Sequence, residues 1–294
     1  MKRCTGSMLL FFLAVGGLGI AAAQESAAVP PPKILQISRE FTKPGKAGTA
    51  HTKTESLFVQ AMRNAKWPTH YLAVESVTGK SRALFLTRYE SFADWEKDIQ
   101  GQQKNAALSA ALDNAWAKDG DLLSDMDSGL FQFNEEYSLR PNVDIAHSRY
   151  FEIGRFTVRP GHEKDWDEIM KMEKAAYEKI PDAHWAMYTE IYGSTNSTYV
   201  YFIPMKSATE MDAELGWSEK IEAAMGEAAM KRFGELEAAA VQETQTNLFA
   251  FNPRMSYARD EWIKADPDFW APKAGAGRTA APAAKKKAGA PAAP

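Results

Sequence analysis

The sequence predicts an α+β fold in which one unit is used twice. Three observations carry that reading. Arg39-Glu40-Phe41-Thr42-Lys43-Pro44-Gly45 matches Gly154-Arg155-Phe156-Thr157-Val158-Arg159-Pro160-Gly161, with Phe41 set against Phe156 and one residue inserted before the second Pro-Gly. Leu130-Phe131-Gln132-Phe133-Asn134 matches Leu248-Phe249-Ala250-Phe251-Asn252 at almost the same spacing. Between these anchors His70-Tyr71, Gly79 and Gly101 recur in order as His184-Trp185, Gly193 and Gly216. A shared order at near-constant spacing is the mark of an internal repeat.

Each copy reads as strand, helix, strand, strand, helix, strand. In the first, the β-compatible run Ile34 to Phe41 ends at the turn signal Pro44-Gly45. From Thr49 the residues Ala50, Leu57, Phe58, Ala61, Met62 and Ala65 recur at helical spacing, and Trp67-Pro68 stops the helix. His70 to Val77 and Arg82 to Tyr89 flank Thr78-Gly79-Lys80-Ser81 as a hairpin. Ser91 is an N-cap for a helix striped by Phe92, Trp95 and Ile99. A second amphipathic stretch holds Leu108, Ala111, Leu112 and Trp116. Leu130 to Tyr137 closes the copy.

The second copy repeats the plan. Strand Arg149 to Val158 leads into a helix bearing Trp166, Ile169, Met170, Tyr177 and Ile180, which Pro181 ends. Strands His184 to Tyr192 and Tyr199 to Ile203 follow. Ser207 opens a helical region with Met211, Leu215, Ile221, Met225, Phe233 and Leu236, and Leu248 to Phe251 is the last strand.

This βαββαβ order is the ferredoxin-like split unit, whose helices cover one sheet face and leave the other open. Two copies can bury their open faces against each other as a pseudo-dimeric α+β barrel. From Ile34 to Met255 the chain resembles the dimeric α+β barrel superfamily, which includes antibiotic-biosynthesis-type monooxygenases and NIPSNAP-type proteins. The resemblance rests on element order and repetition, and no diagnostic catalytic motif accompanies it. It implies a fold more than a function.

The ends read differently. Lys2 and Arg3, the apolar run Met8 to Ile20 and Ala21-Ala22-Ala23 lay out a secretory signal peptide over residues 1–23, and imply an exported, periplasmic or secreted protein. Residues 24–33 form a leader, 34–140 the first unit and 147–256 the second. Residues 257–272 form an extension with Trp262, Phe269 and Trp270 packed on the body. Residues 273–294 are a disordered Ala/Pro/Lys-rich tail whose Lys285-Lys286-Lys287 could touch an anionic envelope surface. Cys4 is the one cysteine and lies in the signal, which rules out disulfides, a thiol nucleophile and thiolate metal sites in the mature chain. No stretch after the signal is long enough to span a membrane. The formal charge is −3, and with the basic residues gathered in the tail the body is acidic, which argues against nucleic acid as a partner.

Candidate chemistry is sparse. Phosphate loops, nucleophile elbows and dinucleotide fingerprints are absent from the sequence. His162-Glu163 resembles the start of a zinc-protease helix, but Trp166 stands where the second histidine belongs. No metal site is expected. Among the five histidines, His70 and His184 recur at equivalent places, while His51 and His147 have no counterpart and are set aside. Glu75 and Glu190 also recur, and facing a barrel interior they would form a carboxylate pair with a raised pKa. Tyr71 shares parity with Glu75, and Tyr188 with Glu190. His70, Tyr71, Glu75, His184, Trp185, Tyr188 and Glu190 are therefore the candidate ligand-binding residues.

Three functions follow: binding of a small, partly apolar molecule in the barrel interior, cofactor-independent monooxygenase-like catalysis in that cavity, or a structural role with a filled barrel. No cofactor is expected. Haem stays open, and a haem-binding relative would need an interior histidine, for which only His70 and His184 qualify.

Overall fold

The computed structural model describes residues 28–271 apart from residue 195. The signal segment, the first leader residues and the basic tail lie outside the described residues. The first half runs β1 (Ile34–Thr42), α1 (Thr49–Asn64), β2 (Tyr71–Ser76), β3 (Arg82–Tyr89), α2 (Phe92–Lys104), α3 (Ala106–Asp119) and β4 (Leu123–Leu139). The second runs β5 (Tyr150–Val158), α4 (Glu163–Tyr177), β6 (Trp185–Tyr192), β7 (Thr198–Met205), α5 (Ala208–Glu214), α6 (Trp217–Met225), α7 (Glu227–Ala240) and β8 (Val241–Phe251). Short helices α8 (Asp260–Ala265) and α9 (Pro267–Trp270) end the described chain.

The eight strands close into one antiparallel barrel in the order β1-β3-β2-β8-β5-β7-β6-β4. Each half supplies four strands, and the halves are stitched where β2 meets β8 and β4 meets β6. Closure leaves no free sheet edge, which disposes of the unpaired backbone groups a single half would expose. Alternation along the strands sends Leu35, Ile37, Phe151 and Ile153 into the barrel. The opposite face lies under the helices, as Gln36 shows by accepting from Trp95 Nε1 of α2 at 3.1 Å.

The two halves also turn the same corner at the ends of their last strands. Ser138 Oγ donates to Asn134 O and accepts from Met187 N at 2.9 Å. Ser256 Oγ donates to Asn252 O and accepts from Ala73 N, also at 2.9 Å.

The barrel interior is filled. Tyr188, Phe202, Phe249 and Phe251 pack against one another, and α8 and α9 press Trp262 and Trp270 into the same core. Trp270 is 0% exposed and donates from Nε1 to Ala146 O at 2.8 Å. At this end Pro30, Pro31 and Pro32 lie across a remaining cavity of about 110 Å³. That is below the ~300–1,000 Å³ of typical small-molecule pockets.

Candidate functional site

A second cavity lies outside the barrel, under the helices of the second half. It measures about 440 Å³ and is walled by Phe156, Tyr177, Trp185, Tyr201 and Trp217, with Met170, Met187 and Met230. Glu152, Glu173, Glu214 and Glu222 supply its charge, and no Lys, Arg or His lines it. Local backbone geometry creates this shape. Gly154 on β5 lies beneath the Tyr201 ring, where an added Cβ would stand 1.9 Å from Tyr201 Cε1. The ring therefore lies across β5 and its hydroxyl donates to Glu152 Oε1 at 2.7 Å. Tyr177 stands edge-on to both Trp185 (5.3 Å) and Trp217 (6.0 Å), joining α4 to the sheet and to α6.

Electrostatics in this pocket favour protonated acids. Burial, with Glu237 nearby, lifts Glu173 to about 7. Burial, with Glu152 nearby, lifts Glu214 to about 7. Both are poised to exchange protons near neutrality.

The residues singled out from the sequence are dispersed. Trp185 joins the pocket and donates from Nε1 to Tyr137 O at 2.7 Å. Tyr188 points into the barrel core. His184 is held by two backbone carbonyls, Asp182 O at 2.8 Å and Pro204 O at 3.0 Å. His70 stacks on Tyr257 at 4.3 Å, with Nδ1 against Pro68 O. Tyr71 lies between Phe85 and Tyr257 on the helix side, its buried hydroxyl without a partner.

Glu75 and Glu190 do not meet. Glu75 accepts from Asn252 Nδ2 at 2.6 Å outside the barrel. Glu190 lies inside, 3.8 Å from Arg155 Nη2, with both oxygens lacking hydrogen bonds. The registers explain the separation. Val74 pairs with Leu84 and Tyr188 with Val200, and Leu84 and Val200 are equivalent because Leu86 and Phe202 face Ile37 and Ile153. Glu75 thus corresponds to Thr189, and a slip of one residue sends a side chain to the other face.

Neither His70 nor His184 stands in an apolar cavity. Both nitrogens of His184 are engaged, no histidine lines the aromatic pocket, and the groove beside His70 is walled by charged Arg88, Glu90, Asp94 and Lys97.

The repeat alignment also shifts by one. Thr42 N bonds Ser81 O as Val158 N bonds Ser197 O, and both directly follow a register shift, so Thr42 matches Val158. Glu40, not Phe41, then stands where Phe156 stands. This brings forward a cluster that sequence reasoning missed. On α1 the buried face is His51, Thr52, Glu55, Phe58, Val59, Ala61 and Met62 rather than the stripe beginning at Ala50. His51 Nε2 lies 3.0 Å from Glu40 Oε2, 3.6 Å from Asp119 Oδ1 and 3.9 Å from Glu55 Oε1. Burial opposes the His51 proton, but Asp119 and Glu40 outweigh it and push its pKa up to about 10. Burial raises Glu40, and raises Glu55 still further with Glu40 and Asp119 beside it. The available signal was the i, i+4 spacing of His51 and Glu55.

No protein-family model and no curated protein matches the sequence. Solved structures do. An anthrone oxidase-like protein superposes with a TM-score of 0.50 at 14% identity, over 78% of this chain and 93% of that one. The chain folds as a dimeric α+β barrel. A monooxygenase candidate from Fusobacterium nucleatum subsp. nucleatum gives 0.48 at 12% identity, over 75% and 93% of the two chains. A chlorite dismutase variant from Candidatus Nitrospira defluvii gives 0.48 at 7%, over 81% and 98%. At these identities the likeness extends to the barrel architecture and stops there.

Proposed function

We propose that this barrel binds a small aromatic or alkyl amine in the pocket of its second half. The observation that carries the reading is the lining: aromatic and methionine walls around four glutamates with no basic side chain among them. Burying carboxylates beside one another is costly unless a positive charge arrives. An ammonium group supplies that charge, and its hydrocarbon part suits the faces of Trp185, Tyr201 and Trp217. Calorimetry with 2-phenylethylamine and 3-phenylpropionate, which share a skeleton and differ in charge, tests this. The amine should bind at pH 8 and the acid should not, and Glu173→Gln with Glu214→Gln should weaken the amine at least tenfold. Equal binding of the two, or none, contradicts the reading.

A second reading is oxidation without a cofactor. It is favoured by Glu173 and Glu214 standing near neutrality beside aromatic walls, where a carboxylate can take a proton from an acidic C–H. The resulting carbanion would combine with O2 and a proton to give a hydroperoxide, which loses water to leave a ketone at the same carbon. The likeness to an anthrone oxidase-like protein makes anthrone the substrate to try. Oxygen uptake no faster than in a protein-free blank counts against it.

We further read the two halves as ferredoxin-like copies from a duplication, on their shared strand order and serine corners. Export through the residue 1–23 signal is part of the same proposal.

A further inference from the structure

We propose that Glu40, His51, Glu55 and Asp119 form a binding site for a divalent first-row transition-metal ion. The four come from β1, α1 and the end of α3, and their donor atoms all lie within 4.8 Å of one another. Donors held by one ion at about 2.0–2.2 Å stand roughly 3–4 Å apart. The separations from His51 Nε2, 3.0, 3.6 and 3.9 Å, fall in that range.

Two further observations point to a ligand. Glu55 Oε1 and Asp119 Oδ2 have no hydrogen-bond partner although their side chains are 3% and 0% exposed. The buried Tyr71 hydroxyl is also unpartnered and lies in the field of Glu55 and Glu40. Thr54 Oγ1 donates to Asp119 Oδ1, which fixes that carboxylate and leaves its second oxygen free. With His51 neutral as a ligand and the acids ionised, three carboxylates lie in a space closed to water, and a divalent cation would offset most of their charge.

The fold itself does not require these residues. Thr52 N bonds Gly48 O as Trp166 N bonds His162 O, so the two helices align from their first turns. Phe156, Trp166 and Ile169 of the second half then occupy the places of Glu40, Thr52 and Glu55, and they pack as ordinary core. Three carboxylate oxygens with one imidazole nitrogen and no sulfur suit Mn(II), Fe(II) or Zn(II) over Cu(I).

The test uses the full chain, stripped with chelator and loaded separately with MnCl2 and ZnCl2. Wild-type protein should retain one equivalent of at least one of them after desalting, with a raised melting temperature that chelator reverses. Glu55→Gln should retain tenfold less, whereas Glu243→Gln, exposed on β8 of the other half, should retain as much as wild type. Pulsed electron paramagnetic resonance of the Mn(II)-loaded wild type should show one coupled imidazole nitrogen, a readout independent of any variant's folding. Retention below a tenth of an equivalent for both metals, equal retention by Glu55→Gln, or bound manganese without nitrogen coupling would overturn the proposal.

Discussion

The two halves lay nearly the same backbone over the barrel and fill the space beneath their helices in opposite ways. The first half fills the centre of that space, with Trp95 hydrogen-bonded to Gln36 and Met255 packed on Ala73, Ala83 and Phe85, around a buried histidine and three acids. The second half puts Phe156 and Ile169 where Glu40 and Glu55 lie, packs them with Trp166, and leaves a cavity beyond Glu152, which takes the place of Gln36. One sheet can therefore carry a closed polar nest and an open aromatic pocket. Which one forms depends on a few outward-facing positions that closure of the barrel leaves unconstrained.

The largest expected effects come from removing the centre of each arrangement. Trp166→Ala should cost about 3–5 kcal/mol in denaturant unfolding. His51→Ala should cost about as much in metal-free protein, because it leaves three buried carboxylates without their cation. Converting the first half toward the second sharpens the contrast. Glu40→Phe with His51→Leu, Glu55→Ile and Asp119→Leu should be near neutral, or up to about 4 kcal/mol stabilising, as a buried ion cluster replaced by apolar packing often is. A large loss in that variant would mean the cluster is required for folding, and the difference between the halves would lose its meaning.

The pocket acids set a smaller, pH-dependent term. Glu173 and Glu214 hold protons in the fold up to about 7, against an ordinary value of 4.5 that describes the unfolded chain. The folded state thus binds more protons between those limits. Stability should be greatest below about 4.5 and fall as pH rises to 7, and Glu173→Gln should flatten that slope in melts across the range. Amine affinity should run the other way and increase through pH 7. The smallest effect tests the symmetry. Ser138→Ala and Ser256→Ala remove equivalent hydrogen bonds and should each cost about 1 kcal/mol. A gap of several kcal/mol between them would show that the corners are not equivalent.

Much of this architecture was legible in the sequence because it follows from period and punctuation. The Arg82–Tyr89 strand, the helix start at Thr49 and the Ser91 cap, which accepts from Asp94 N at 3.1 Å, all stand where local signals put them. Strands β4 and β8 extend earlier than their apolar cores, since backbone pairing carries polar residues such as Asp125 and Glu243. The site was less legible. Phe41 and Phe156 looked equivalent because both are phenylalanine, yet backbone register sets Phe156 against Glu40, and one residue of slip reverses every facing assignment. His51 was passed over for lacking a counterpart, although the lack of a counterpart is what distinguishes its half. The cavity depends on how α5 and α6 sit above Tyr201, a tertiary relation with no local pattern to announce it.

The most direct measurement is a crystal structure of the protein soaked with 2-phenylethylamine. The ring should lie between Trp185, Tyr201 and Trp217, with the ammonium group against Glu173 or Glu214. Density inside the barrel beside Tyr188 and Phe202, or no bound amine at millimolar concentration, would contradict it.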